Sequence, residues 1–516
     1  MPPIRKHSVV MGIVARQSIK GTLATYIGVA VGIFTTFYIQ TKALEPEQIG
    51  LIDVLLQCSV LFSGLAQLGT NSSAMRYYPF FKDEAHRDHG FFGWTLVVPL
   101  VGFAFFLMAF FAFKTPIVNF FSKDSGMFAE YVNFVIPLAF FMLYISVFET
   151  NSNLLLRIVL PKFIREVGLR VGTLAIYLLY YYKVIGFDGV IVAFCVMYGL
   201  ATLINIVYLL TLKRVSFKIE RKFVSEQLRR DFLFYTLFMI TAALAGNMIP
   251  MLSKFFLASV SGFRLAGVLT IATNIAAVIE MPYRSLGAIS RPHISDAMAK
   301  KDVKTADDLC KSVALHQFIA GTLVFFIVWI NIDYLFDILP KGEVYRLGKW
   351  AVLILSVGRL VYSTFAVTTT VLSYSKYYYY SLIFTVLLAA MSILLNKWLV
   401  PKWDINGAAM ANMLSYLVYF ILLLAFIHWK IGVMPLSWKL LPVMGVVAAL
   451  FVLNYLWTLF LTPWFSTLFG KPVWGLTLDA GLKSFLFLVA GFAALYKMKV
   501  SKSVNDLIDK VLHKKS

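Results

Sequence analysis

The chain has 516 residues, of which 60% are hydrophobic and 14% are charged. Its mean hydropathy of +0.78 is far from the soluble average, which excludes a soluble globular domain. A formal net charge of +21 would indicate a nucleic-acid partner in a soluble protein. Here the basic residues are spread over linkers between apolar segments, so the sequence predicts no nucleic-acid partner.

About fourteen apolar stretches alternate with short linkers, and each can supply a helix that crosses a bilayer. Backbone polar groups cannot stay unpaired in lipid, so the sequence predicts an all-α polytopic membrane protein with about fourteen transmembrane helices. The predicted spans lie near residues 22–42, 50–74, 92–113, 132–156, 167–183, 189–211, 232–257, 265–288, 313–335, 350–373, 378–397, 406–428, 440–461 and 481–498.

The Lys and Arg residues fall mostly on every second linker. With the spans above, one side of the membrane holds both termini, the loop from Lys213 to Arg230 and the loop from Arg284 to Lys311. That side carries most of the 47 basic residues and is therefore predicted to be cytoplasmic. The same charge distribution also favours contact with anionic membrane lipids.

The longest basic linker divides the chain into similar halves. The predicted domains are a six-helix bundle over 1–212, a linker over 213–231, a second six-helix bundle over 232–430, and two extra helices with a basic tail over 431–516. In both halves the second helix begins at a glycine, Gly50 or Gly267, and ends at an Arg close to a Pro. This pattern indicates a parallel repeat about an axis along the membrane normal, with chance likeness between apolar helices as the alternative.

Three stretches carry a family resemblance: ARQSIKGTLATYIGVAVG near the start, GLIDVLLQCSVLFSGLAQLGTNSSAMRYYP in the second span, and NGAAMANMLSYLVYF in the twelfth. With these the chain resembles the multidrug/oligosaccharidyl-lipid/polysaccharide exporter superfamily, specifically its polysaccharide flippase branch. The resemblance implies two six-helix bundles in a V around a cavity that is lined by spans one, two, seven and eight. Two additional C-terminal helices resemble those of fourteen-span members.

The resemblance also implies a substrate and a compartment. The substrate is a polyprenyl-diphosphate-linked oligosaccharide, such as an O-antigen, capsule or exopolysaccharide repeat unit, moved from the cytoplasmic to the periplasmic leaflet of the bacterial inner membrane by alternating access. Other polysaccharide assembly proteins are the expected partners. A cation-coupled multidrug exporter of the same fold is the alternative, although its cavity typically offers acidic residues.

Charged and polar residues inside spans are candidates for substrate contact because they are costly in lipid. Arg359 lies about 14 Å into the tenth span. It is predicted to form either an anion site or a structural ion pair between helices. In span seven, Gly246 and Pro250 form a predicted hinge or a merely structural kink, and Lys254 follows near the periplasmic end. Asn247 and Asn274 on neighbouring helices are predicted to bind sugar hydroxyls or each other.

A second group of candidates is basic and flanks the cytoplasmic ends of spans one, two and eight. These cations fit capture of the diphosphate headgroup, with anchoring to anionic lipid as the alternative. They are Arg16, Lys20, Arg76, Arg284 and Arg291.

Two carboxylates are possible proton-coupling groups. Glu280 precedes Arg284 by four residues, a spacing that favours a local ion pair instead. Glu149 has the same two options, with Arg157 as its expected partner. Asp53, near the periplasmic end of span two, is expected to be solvated.

The sequence predicts a secondary transporter without cofactors. It contains no phosphate-binding GxxxxGK[ST] motif, and the His86 and His89 spacing fits no tetrahedral metal site, so no metal is predicted. A membrane-embedded glycan polymerase or acyltransferase would be expected to hold catalytic residues in a sizeable loop, and the periplasmic linkers contain no His.

Overall fold

The computed structural model describes residues 26–83, 87–121, 124–212, 251–467 and 472–501, together with Ser216, Glu226, Arg230 and Asn505. Every regular element in these ranges is helical, which confirms the predicted all-α class. Nine described helices are long and apolar enough to cross a membrane, or ten if the bent pair Gly342–Phe365 and Val367–Ser373 forms one span. The chain is a multi-pass membrane protein, and the total of fourteen spans stays a prediction.

The chain packs as two compact units, Met1–Thr270 and Ile271–Ser516. The boundaries predicted at residues 212, 231 and 430 stay a prediction. The helices of the first unit are α1 (residues 26–43), α2 (Pro46–Ala66), α3 (Thr70–Phe81), α4 (Phe91–Phe120), α5 (Ser125–Tyr131), α6 (Val135–Leu154), α7 (residues 159–181), α8 (Phe187–Thr211), α9 (Met251–Ser261) and α10 (Phe263–Ala277) as far as Thr270.

The second unit begins inside α10. After α10 a 3₁₀ turn, Val278–Glu280, leads into the next helix. The further helices are α11 (Met281–Ala299), α12 (Val303–Ile330), α13 (Ile332–Ile338), α14 (Gly342–Tyr345), α15 (Lys349–Phe365), α16 (Val367–Ser373), α17 (Tyr380–Ile431), α18 (Leu440–Phe460), α19 (Thr462–Thr467) and α20 (Pro472–Lys497).

Local chemistry sets the helix ends and breaks. α2 begins at Pro46 because Glu45 and Gln48 form a capping box that satisfies free backbone amides at its start. α17 is broken at Trp403 and Asp404, whose backbone leaves the helical region, so it supplies the two helices predicted as spans eleven and twelve. The loop predicted after residue 288 is instead helical to Ala299, and Asp302 then caps α12 by accepting from the Thr305 amide at 3.0 Å.

Packing within each unit is pairwise between neighbouring helices. In the first unit α2 packs against α4 and α6, and α6 packs against α8. In the second unit α15 packs against α12 and α17, and α11 packs against α12. The two C-terminal helices α18 and α20 are fixed to α12 by an apolar cluster that includes Phe326, Leu450 and Phe487.

A close helix crossing in the first unit joins α2 to α10 at two glycines. A Cβ on Gly50 would overlap the Phe263 carbonyl, and a Cβ on Gly267 would overlap the Pro46 carbonyl, so both positions require glycine. The two overlaps are reciprocal, since each carbonyl lies four residues before the opposite glycine.

Residues at this crossing meet counterparts a constant 217 positions further along the chain. Asp53 accepts a hydrogen bond from Thr270, which is 217 positions further along the chain. The ion pair of Glu47 with Arg264 at 3.7 Å and the contact of Gly50 with Gly267 have the same offset. A constant difference in residue number means that the helices run parallel, and self-matching contacts are the pattern of a twofold axis. The crossing therefore has the local symmetry expected of a parallel repeat.

Candidate functional site

Several predicted site residues lie outside the part of the chain that the structure describes. For Arg284 the helix backbone is described and the side chain is not. The others are Arg16, Lys20, Gly246, Asn247 and Pro250. Their predicted roles in headgroup capture, sugar binding and hinge motion stay predictions.

Asp53 is the centre of a polar cluster beside the Gly50 and Gly267 crossing. Its Oδ2 accepts hydrogen bonds from Lys254 Nζ at 2.8 Å, from Gln57 Nε2 at 2.6 Å and from Thr270 Oγ1 at 2.9 Å. The Asp53 and Lys254 side chains are 22% and 10% exposed. We call these four residues the Asp53 cluster; it joins α2, α9 and α10 by charge and hydrogen bonding at one end of the helices.

The expectation of a solvated Asp53 was therefore wrong. The carboxylate lies one turn past Gly50, where the glycine crossing brings α10 close enough for Thr270 to reach it. Lys254 is a predicted substrate contact, and in this structure its ammonium group pairs with Asp53. Nothing in the local sequence pairs residues 53 and 254, because the contact depends on how three helices pack.

Glu149 lies on α6 and forms an ion pair with Arg165 on α7. Nη1 of Arg165 is 2.8 Å from Glu149 Oε1 and 2.9 Å from Oε2. The predicted partner was Arg157, and that expectation was wrong, because α6 ends at Leu154 and a turn separates Arg157 from the helix face that carries Glu149. The carboxylate is 17% exposed and the guanidinium 49% exposed.

Arg359 and Glu280 form an ion pair between helical segments of the second unit. Nη1 of Arg359 on α15 donates to Glu280 Oε1 at 2.6 Å, and the two side chains are 17% and 10% exposed. The tyrosine rings of Tyr283, Tyr362 and Tyr416 continue from this pair, with centroid distances of 5.8 Å and 5.2 Å. Arg359 is predicted to form either an anion site or a structural ion pair, and in this structure Glu280 is its ion-pair partner.

The guanidinium of Arg359 is not fully satisfied by Glu280. Its Nε is buried and has no hydrogen-bond partner among the described residues. Arg291, predicted for headgroup capture, lies on α11 and donates to the Tyr283 hydroxyl at 2.7 Å while its guanidinium covers the same ring. Glu280, Arg359 and Arg291 thus belong to one line of polar and aromatic contacts in the second unit.

The remaining described candidates are Arg76 and Asn274, and Asn274 lies one turn beyond Thr270 of the Asp53 cluster on α10. Arg76 is exposed on α3 with its guanidinium 5.8 Å from the Tyr77 ring centroid. Asn274 is half-buried on α10, at the position equivalent to Gln57 under the 217-residue offset. The predicted contacts of Arg76 and Asn274 with a substrate stay predictions.

Comparison with known proteins identifies relatives of the chain. A sequence model for the family described as polysaccharide biosynthesis protein matches residues 16–298. None of the curated proteins gives a significant match.

Solved structures match the chain at the level of the fold. The lipid II flippase MurJ in an inward closed conformation has a TM-score of 0.67 and 11% identity, covering 92% of this chain and 99% of MurJ. An inward-facing multidrug resistance MATE transporter of the MOP superfamily has a TM-score of 0.60 and 16% identity, over 79% of this chain and 94% of the transporter. A MOP-superfamily transporter from Pyrococcus furiosus has a TM-score of 0.54 and 14% identity, over 81% and 95%.

Proposed function

The chain belongs to the polysaccharide biosynthesis protein family, and from that premise we propose that it is a flippase, not an enzyme, for a polyprenyl-diphosphate-linked oligosaccharide. The cargo is an O-antigen, capsule or exopolysaccharide repeat unit, turned from the cytoplasmic to the periplasmic leaflet of the bacterial inner membrane. The excess of basic residues on alternate linkers supports cytoplasmic termini. Membrane lipids and other polysaccharide assembly proteins are the proposed partners.

The observation that carries the proposal is the Asp53 cluster beside a symmetric helix crossing. Alternating access requires contacts that close one end of the pathway and then break. Direct polar contacts suit this task, because water can replace each hydrogen bond when the helices separate, at a net cost of about 0.5–1.5 kcal/mol per bond. With the predicted orientation, Asp53, Lys254 and Thr270 lie at the periplasmic ends of their helices and hold that end closed.

The pairing of the intramembrane carboxylates favours an anionic cargo over a cationic drug. Asp53, Glu149 and Glu280 each have a basic side chain within 2.8 Å, so their negative charge is already balanced inside the protein. An exporter of cations needs an acidic group that its cargo can reach. A diphosphate also gains about 2.3 kcal/mol per negative charge per 100 mV when it moves outward across an inside-negative membrane.

The basic candidates keep their proposed role in this mechanism. Arg16, Lys20, Arg76, Arg284 and Arg291 bind the diphosphate at the cytoplasmic entrance. Asn247 and Asn274 contact sugar hydroxyls, and Gly246 and Pro250 allow span seven to bend. Glu149 and Glu280 are the carboxylates that proton coupling would use.

Transport in proteoliposomes tests the function. A fluorescent polyprenyl-diphosphate oligosaccharide is followed between leaflets with and without an imposed inside-negative potential, and a labelled cationic drug is the parallel substrate. We expect protein-dependent flipping of the glycolipid that accelerates with the potential. Movement of the drug alone would contradict the proposal and support a cation-coupled exporter.

A disulfide lock tests the proposed closed end. Glu47→Cys and Arg264→Cys are combined in a chain in which Cys58, Cys195 and Cys310 are replaced by Ala, because the two positions lie one turn from the contact of Gly50 with Gly267, where the α2 and α10 backbones touch. Oxidation is expected to stop flipping and reduction to restore it. Each single cysteine variant, treated in the same way, is the control. Full transport by the oxidised double variant would remove this crossing from the gating motion.

A further inference from the structure

A cleft of about 390 Å³ opens inside the first unit. On α2 it is lined by residues from Val60 onward, which follow the Asp53 cluster along the helix. Four helices, α2, α6, α7 and α8, line it. Its volume falls within the range of about 300–1,000 Å³ that is usual for small-molecule sites. The polar lining residues are Ser63, Gln67, Ser146, Glu149, Arg165 and Tyr198.

The cleft offers both hydrogen-bond donors and hydrogen-bond acceptors. Nε2 of Gln67 is a buried donor that has no partner among the described residues. Ser63 donates its hydroxyl proton to the Val60 carbonyl at 2.9 Å, so its oxygen stays available as an acceptor. Arg165 is 49% exposed, so it has N–H groups that a ligand can reach, and Glu149 supplies carboxylate lone pairs.

The two charged residues that line the cleft, Glu149 and Arg165, balance one another, and Lys162 is a further cation near Glu149. Arg165 pairs with Glu149, and the adjacent Glu166 lies 3.4 Å from both Arg165 and Arg170. Two carboxylates and two guanidinium groups form one network without net charge. A diphosphate would meet the carboxylates and a drug cation would meet the guanidinium groups, so neither is favoured. An alkyl chain would leave the Gln67 amide unpaired, which costs free energy.

A π-helical turn, Ile164–Gly168, carries Arg165 and Glu166. Such turns are rare and occur often at functional sites. Helix α1 supports this turn directly, because a Cβ on Gly28 would overlap the Glu166 carbonyl and a Cβ on Gly32 would lie 2.8 Å from Arg170 Nη1. The position of Arg165 opposite Glu149 is therefore held by backbone packing, as a preformed site requires.

We infer that this cleft is a binding subsite for an uncharged sugar ring of the transported glycolipid. A sugar hydroxyl both donates and accepts, which matches the alternation of Gln67, Ser63, Glu149 and Arg165. The inference rests on the proposed flippase function, and it assigns sugar recognition to the first unit, apart from the basic residues proposed for the diphosphate.

Flipping of two lipids tests this assignment. Undecaprenyl diphosphate carrying a neutral trisaccharide and glycan-free undecaprenyl diphosphate are compared in proteoliposomes. Arg165→Gln, which leaves the proposed coupling carboxylate Glu149 in place, is expected to raise the half-saturating concentration of the glycan-bearing lipid about tenfold or more, because charge-assisted hydrogen bonds are lost. The glycan-free lipid is expected to change less than about twofold.

A matched control and a second variant separate binding from folding. Asp333→Asn with Lys349→Gln removes an ion pair elsewhere in the chain, whose Nζ and Oδ1 atoms are 2.7 Å apart. This control is expected to change the half-saturating concentration of neither lipid. Gln67→Met removes the unpaired donor at similar volume, so it is expected to keep or raise thermal stability while weakening use of the glycan-bearing lipid. Equal loss for both lipids, or no loss for either, would overturn the assignment.

Binding of the free trisaccharide keeps the test independent of transport. Equilibrium dialysis with the purified full chain is expected to detect binding that both cleft variants reduce and that the control variant retains. If the wild-type chain flips neither lipid, the flippase proposal fails, and this binding experiment still decides the cleft. Equal binding by the wild-type chain and both cleft variants would reject the subsite.

Discussion

The two units each hold an ion pair between helices, and the surroundings of the pairs differ. In the first unit, Arg165 is 49% exposed and its pair with Glu149 lines a cleft. In the second unit, Arg359 is 17% exposed and its pair with Glu280 adjoins packed tyrosine rings. The same two chemical groups are therefore open to solvent in the first unit, whereas in the second unit they attach α15 to the segment that precedes α11.

Two glycines, Gly50 in the first unit and Gly321 in the second, differ in the group that an added Cβ would meet. In the first unit the glycines Gly28, Gly50 and Gly267 bring a neighbouring backbone carbonyl against the helix. In the second unit a Cβ on Gly321 would meet the end of the Leu360 side chain at 2.8 Å, which can move. Backbone contact fixes the position of a helix more rigidly than contact through flexible side chains, so substitution should affect Gly50 more than Gly321.

The largest difference is expected from removing one arginine of each pair. Arg359→Met leaves the Glu280 carboxylate buried without its counter-charge and should cost about 3–5 kcal/mol of folding free energy. Arg165→Met should cost about 1 kcal/mol or less, because solvent reaches that pair. Denaturation monitored in detergent measures both. Adding Glu280→Gln to Arg359→Met should recover most of the loss, and equal losses for the two single variants would contradict the comparison.

A smaller difference is expected from adding one methyl group to a glycine of each unit. Gly50→Ala forces α2 away from the Phe263 carbonyl and should cost about 1–3 kcal/mol of folding free energy. Gly321→Ala should cost less, because Leu360 can change rotamer. Gly445→Ala on α18 is the matched control, since nothing lies within 4 Å of its added Cβ. A Gly50→Ala protein as stable as the control would show that the crossing can widen freely.

Asp53→Asn should fall between the two arginine variants in its effect on stability. The Asp53 and Lys254 side chains are 22% and 10% exposed, and loss of the charge leaves Lys254 without its counter-ion, at a cost of about 1–3 kcal/mol. The same change should weaken the closed end and alter the flipping rate. Lys254→Met with Asp53→Asn is the compensating control. An unchanged melting temperature and an unchanged rate would remove the pair from the mechanism.

The smallest effect is expected at an exposed pair between neighbouring turns. Lys300 and Asp296 are 2.7 Å apart, and their side chains are 69% and 62% exposed. Lys300→Ala should therefore leave the melting temperature and transport unchanged, because water screens such pairs. A clear loss of stability would mean that exposure is a poor guide to the strength of the ion pairs in this protein.

The sequence determined the features that depend on composition and short-range pattern. Apolar length and the pairing of backbone groups in lipid predicted an all-α membrane protein, which the structure confirms. The glycines at 50 and 267 were recognisable as equivalent positions, and Glu280, Arg359 and Lys254 were recognisable as charges inside spans. These features can be recognised in the sequence because the bilayer imposes the same limits on length and polarity on each span separately.

The tertiary structure decided the partners. Glu280 lies 79 positions from Arg359, and Asp53 lies 201 positions from Lys254, distances at which no helical periodicity relates two side chains. The expected ion pair between Glu149 and Arg157 was wrong, because the helix that carries Glu149 ends at Leu154, before Arg157. Residues three or four apart on a helix face one another by geometry, whereas residues on different helices meet only after packing has fixed the crossing points and the turns between them.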